Sequence, residues 1–230
     1  MFSTTKAAGA LAPADPYFYD VTLLLNGDGT NGGQNNTFLD SSTNNFTITR
    51  NGNTTQGSFS PYGNLWSNYF DGSSYITVAD NDAFYLSGNF TVECWLNIPS
   101  TPDIGAIYAL WGTGSNRNIV LQYDSSGAIY FYHQRTVGQP YVTTTLPLNQ
   151  WFHFATTRIG SSGNIFINGV NVWSGTVSTV TCGNCTLQIC GAHDLGGITG
   201  YIDDLRITLN VARYTSDFSV PTSAFTTASD

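Results

Sequence analysis

Cys182, Cys185 and Cys190 stand with His193 in a C-x2-C-x4-C-x2-H run. Three thiolates and an imidazole so close together are the donor set of a tetrahedral zinc site. The spacing is unusual for zinc, and Leu187 and Ile189, between the last two cysteines, have strand character. A disulfide closing the Cys182–Cys185 or Cys182–Cys190 loop is a competing reading and would imply an oxidising exterior. Free thiols are the third. The fourth cysteine, Cys94, shares a strand face with Phe90, Val92 and Leu96 and is expected to be a small buried hydrophobe.

Hydrolytic chemistry has little to work with. Glycoside hydrolysis needs two carboxyl groups about 5–10 Å apart, and the chain has one glutamate, Glu93. An aspartate pair such as Asp203 with a loop aspartate is the only substitute. His153 lies on the strand face opposite Phe152 and Phe154, and no G-x-S-x-G elbow is present. Asp203 invites a different reading. Strict alternation along 201–207 puts Tyr201, Asp203, Leu205 and Ile207 on one face. A carboxylate on a core face must be paired, protonated or metal-bound. The alternative to a metal is that Asp203 accepts turn N–H bonds or pairs with Arg206 or Arg213.

The elements that must hold these groups read as strands. Period-two alternation recurs at 21–25, 46–49, 75–78, 90–98, 119–123, 128–133, 141–146, 151–158, 164–168, 186–190 and 201–209. Turn residues separate them, clearest at Asn168-Gly169, where both positions of a type I′ turn need positive φ. Many short strands and no convincing helix predict an all-β sandwich or barrel. Residues 1–16 read as an N-terminal arm without the apolar core of a signal peptide. Residues 17–230 read as one domain, with a tail from about Phe218.

Net charge is −8, charged residues are 10% of the chain, and Lys6 is the single lysine. Scattered arginines make no basic stripe, which argues against nucleic acid and anionic membrane partners. No apolar run is long enough for a membrane span. Aromatic residues make up 14% of the chain. Their rings suit sugar faces, with Asn and Asp reading the hydroxyls. Trp66 and Trp111, near turn-rich segments, and Tyr132, on an alternating strand, are the candidate ligand contacts.

Several segments, in order, resemble the laminin-G-like, concanavalin A-like family. They are Tyr69-Phe70-Asp71-Gly72 leading to Tyr75-Ile76, read as a hairpin; Phe90-Thr91-Val92-Glu93-Cys94-Trp95; Trp151-Phe152-His153-Phe154-Ala155; Ile165 to Val170; and Gly200-Tyr201-Ile202-Asp203-Asp204-Leu205-Arg206-Ile207. The resemblance spans about residues 19–225 and implies a two-sheet antiparallel jelly-roll sandwich. It implies a structural role for His153. It also implies a structural calcium held by Asp203 and an N-terminal loop, here Asn26 to Asp28 or Asp40 to Asn45, whose oxygens suit that ion. Glycanases of this family carry two glutamates on one strand, where this chain has Glu93 and Trp95. The tail around Ala212-Arg213-Tyr214 resembles virion-associated members.

The expected function is therefore non-enzymatic. We expect a virion surface protein, either a head decoration or a tail-fibre component, that binds a host-surface glycan or cements neighbouring subunits, with homo-oligomerisation open. The alternatives are a carbohydrate-binding module of a bacterial surface or secreted protein and, disfavoured by the glutamate count, a glycan hydrolase.

Overall fold

Alternating apolar and polar residues pair into two antiparallel sheets in a computed structural model. It describes residues 15–27, 36–63, 65–100, 104–112, 117–126, 128–131, 141–177, 179, 182–191 and 196–226. The strands are β1 (Val21–Leu25), β2 (Ile48–Asn51), β3 (Thr55–Gly57), β4 (Ser67–Asp71), β5 (Tyr75–Val78), β6 (Phe90–Asn97), β7 (Ile104–Trp111) and β8 (Arg117–Asp124). They continue with β9 (Ala128–Phe131), β10 (Tyr141–Thr143), β11 (Phe152–Ile159), β12 (Ser162–Ile167), β13 (Val170–Thr176), β14 (Thr186–Ile189) and β15 (Thr199–Leu209). One sheet runs β13-β12-β11-β6-β15-β4-β3, with β1 also paired to β15; the other runs β10-β9-β8-β7-β14-β5-β2. The jelly-roll sandwich expected from the sequence is what forms.

The core lies between the sheets. Val92, Cys94 and Leu96 of β6, Phe154 of β11 and Leu205 of β15 meet Ile76, Tyr108 and Leu187 from the opposite sheet. Each such side chain, fully withdrawn from water, contributes about 1.5–3 kcal/mol. Trp111 belongs to this core at 9% exposure, so it is not the surface contact the sequence suggested. Its turn-rich neighbourhood gave the wrong impression: Trp111 is the last residue of a long strand paired to β14.

Four local features depart from the sequence reading. Asp71 to Ser74 is not a hairpin turn, because β4 and β5 lie in different sheets. It is a crossover turn in which Asp71 Oδ1 accepts from the backbone N–H groups and hydroxyls of Ser73 and Ser74. The second departure is in β15. Its register against β6 slips between Asp203 and Arg206, and Asp204 takes φ +47°. A bulge adds one residue and reverses the facing of everything beyond it. Leu205 and Ile207 therefore enter the core, whereas Tyr201, Asp203 and Arg206 pair with Asn97, Trp95 and Glu93 on the outer face.

The third departure is at the predicted arm. Asp15 is buried and hydrogen-bonded to Arg206 and Arg213, so the arm's end is part of the domain. The fourth is the tail, which packs as a strap over the outer face of β6, β11, β12 and β15. Phe218 stacks on Tyr214 with ring centroids 3.5 Å apart. Phe225 joins Phe18, Val21 and Leu24 in a second small apolar cluster.

The Asn168-Gly169 turn forms as expected, with φ of +50° and +77° and Ile167 paired to Val170. Cys182 and Cys185 form a disulfide, and Cys94 and Cys190 are buried free thiols. His193 lies outside the described residues, and with two of its thiols joined the C-x2-C-x4-C-x2-H run is not a zinc donor set.

Candidate functional site: an aromatic patch beside a buried ion network

The outer face of the β15 sheet has two halves, divided by the bulge. Past the bulge, the strap and residues 15–18 seal a network of charges. Glu93, fully buried, accepts from Arg206 Nε at 3.0 Å and Nη2 at 2.7 Å through Oε1, and from the Tyr214 hydroxyl at 2.8 Å through Oε2. His153 Nε2 lies 3.3 Å from the same Oε2. Asp15 bridges the two arginines, accepting from Arg206 Nη1 at 2.9 Å and from both terminal nitrogens of Arg213 at 2.8–2.9 Å. These charges tolerate burial because every one is matched and hydrogen-bonded.

Burial alone would raise the Glu93 carboxyl, but Arg206, His153 and Arg213 outweigh it and hold the group well below the usual carboxylate range. A general acid for glycoside cleavage needs the opposite tuning. Glu93 is thus a structural anion. Asp15 follows the same pattern: burial opposes ionisation, and the Arg213 contacts with the Tyr17 N–H overcome it. Groups with lowered folded-state pKa stabilise above their unfolded values, near 4.5 and 3.8 here, and lose that contribution as pH falls. The urea midpoint is expected to be flat above about pH 5 and to fall steeply below it. Glu93→Gln, weaker at pH 7, loses less on acidification; an unchanged wild-type midpoint at pH 3 contradicts this.

On the near side of the bulge the face is open. Tyr69 of β4 and Tyr201 of β15 are cross-strand partners with centroids 5.1 Å apart. Phe59, in the loop after β3, sets its ring 4.7 Å from Tyr201 and 5.2 Å from Trp151, the residue before β11. Phe59 is 42% exposed and the other three rings are half-buried. The loop is held at both ends: Ser67 Oγ donates to the Phe59 carbonyl, and Ser60 Oγ donates to Asp203 Oδ2 at 2.7 Å. Asn97 lies in register between Tyr201 and Trp151. Buried beneath, Trp151 Nε1 has no hydrogen-bond partner.

The predicted site residues fall as follows. Trp66 is half-buried just ahead of β4, and Tyr132 lies outside the described residues. Asp203 does not pair with Arg206 or Arg213, which are taken by Glu93 and Asp15. It accepts from Ser60 and from the Asp204 N–H. Asp40 spends both oxygens on its own loop and on β1, accepting from the N–H groups of Leu24, Ser42 and Phe46 and from the Ser42 hydroxyl. Asn45 supplies a positive-φ turn residue at +48°, and Asp28 lies outside the described residues. Among the described residues no group of three or more His, Cys, Asp or Glu side chains converges to hold a metal. The carboxylates of Asp40 and Asp203 thus both accept hydrogen bonds from within the domain. The four-ring patch was not read from the sequence, because only the bulge and the loop after β3 bring its members together.

Comparison with known proteins fits this geometry. Residues 70–212, more than half the chain, match the concanavalin A-like lectin/glucanases superfamily. No curated protein matches the chain. Among solved structures, domain 4 of the extracellular GH43 arabinanase AbnA from Geobacillus stearothermophilus, in complex with arabinotriose, is 20% identical with TM-score 0.61, covering 82% of this chain and 91% of that domain. The binding domain of botulinum neurotoxin DC in complex with rat synaptotagmin II is 17% identical with TM-score 0.62, covering 84% and 48%. The botulinum neurotoxin type C structure described as dependent on two ganglioside molecules for cell entry is 16% identical with TM-score 0.61, covering 88% and 49%. The chain spans about half the length of these toxin structures, and at such identities the likeness is one of fold. On the family match, the chain belongs to the concanavalin A-like lectin/glucanases superfamily.

Proposed function

We propose that this chain is a non-catalytic glycan-binding domain displayed on a virion, as a head decoration or tail-fibre component. The observation that carries the binding reading is the patch of Phe59, Tyr69, Trp151 and Tyr201 left open on a face otherwise sealed by the strap. Half-exposed rings in contact are what a sugar's apolar face stacks against, and single-chain domains seldom leave them without a use. The non-catalytic reading rests on Glu93, whose two oxygens are occupied by Arg206 and Tyr214. The virion reading rests on the resemblance of the 212–218 segment and on the scarcity of lysine.

A second reading, a module of a secreted bacterial protein, is favoured by the fold likeness to a domain of an extracellular arabinanase. A glycan array probed with the purified chain tests the binding. Saturable binding to at least one glycan class with no release of reducing ends is expected. Cleavage, or silence across the array, overturns the reading. Co-sedimentation of the chain with purified virions separates the virion role from the secreted-module role.

A further inference from the structure

We propose that the patch takes a neutral, extended glycan chain laid across β4, β15 and β6 towards Trp151, and that it rejects acidic glycans; this rests on the glycan-binding reading above. The rings form a continuous row. Tyr69 touches Tyr201 at 5.1 Å, Tyr201 touches Phe59 at 4.7 Å and Phe59 touches Trp151 at 5.2 Å. The row crosses the strands, which lie about 4.8 Å apart, so successive sugar rings meet successive side chains. Register sets Asn97, itself buried, between Tyr201 and Trp151, so the rings are the exposed contacts of the row.

The charge around the row decides the ligand class. Two residues along β4 from Tyr69, on the same face, stands Asp71. The hydrogen bond from the Ser74 hydroxyl leads the contacts with Ser73 and Ser74 that together outweigh burial and hold Asp71 down to about 2, so it is ionised throughout the working pH range. Among the described residues, no arginine or lysine side chain stands in the row. Arg50, on the other sheet, donates its Nε to the Thr54 carbonyl at 2.7 Å. With a net charge of −8 behind it, such a surface repels carboxylated or sulfated sugars and has no fork to pair with them.

The test compares neutral oligosaccharides (arabino-, xylo- and gluco-oligosaccharides) with acidic ones (sialylated and galacturonate oligomers) by calorimetry at low and high salt. Neutral binding that is indifferent to salt is expected, with no measurable heat from the acidic set. Phe59→Ala and Tyr69→Ala should each weaken neutral binding about tenfold, about 1.4 kcal/mol, with melting temperature followed to exclude unfolding. Tyr19→Ala, at a ring 77% exposed elsewhere, should leave binding unchanged. Neutral binding undiminished in the folded Phe59→Ala/Tyr69→Ala double variant, or acidic glycans bound as tightly, overturns this proposal and leaves the glycan reading standing. Binding of neither set overturns both.

Discussion

Arg206→Ala is expected to cost about 3–5 kcal/mol, the range for removing one partner of a buried ion pair. Glu93 is fully buried and would lose both bonds to its Oε1, while Asp15 would lose one of its two arginines. Arg213, whose Nε stands 3.9 Å from Glu93, is too far to replace them. The guanidinium also lies 3.5 Å from the Phe225 ring centre, so the strap's last anchor weakens with it. In a domain of this size each kcal/mol moves the melting temperature by about 2–4 °C, so a drop of about 6–20 °C is expected. Urea unfolding at pH 7 measures it, and a loss below about 1 kcal/mol would show that water reaches Glu93. The Glu93→Gln/Arg206→Met double variant should recover part of the loss, because a neutral pair is cheaper to bury than a lone carboxylate.

The second large effect is expected from Gly169→Ala, at about 2–4 kcal/mol. Gly169 has φ +77°, and a methyl there would overlap the carbonyl oxygen of Phe218. That oxygen belongs to the strap residue whose N–H donates to the Gly169 carbonyl at 2.9 Å. The left-handed backbone alone accounts for about 1–2 kcal/mol. The remainder comes from lifting Phe218 off Tyr214, Phe166 and His153. Gly160 is the internal control: its φ is +59°, but open space surrounds the added methyl. Gly160→Ala should show only the backbone part. Equal melting losses at the two positions would mean that the strap contributes nothing to stability. Faster proteolysis near Phe218 in Gly169→Ala alone would show the strap released.

Much of the fold was legible because local rules governed it. The Asn168-Gly169 turn and the alternation of 90–98 and 151–158 are decided by neighbours in sequence. What escaped was decided at a distance. Strands β4 and β13 carry mixed faces whose pattern makes sense only against their partners, and β7 is buried along 105–111, so it has no alternation to read. The site was less legible still. Alternation placed Asp203 with Leu205, and one extra residue reversed that. Arg206 and Arg213 looked like partners for Asp203, but Asp15, from a segment read as an arm, and the lone Glu93 claim them. Glu93 itself reads in sequence as an absence of catalysis; only its neighbours show it to be the centre of the buried network.

The bulge at Asp204 couples chain length to facing. Before it, odd-numbered residues of β15 look outward; after it, they look inward. It also sits where the strand's free edge changes partner, from β4 at Thr199–Ile202 to β1 at Leu205–Thr208. A substitution there alters one side chain. Deleting Asp204 would instead return the strand to plain alternation, with Arg206 still opposite Glu93 and Ile207 opposite Val92, and would cost only the carboxylate that accepts from Asn26 and the Phe225 N–H. A residue inserted within 206–208 would turn over the facing beyond it. Natural variation along this strand should therefore accommodate a gap at the bulge more readily than an insertion within 206–208.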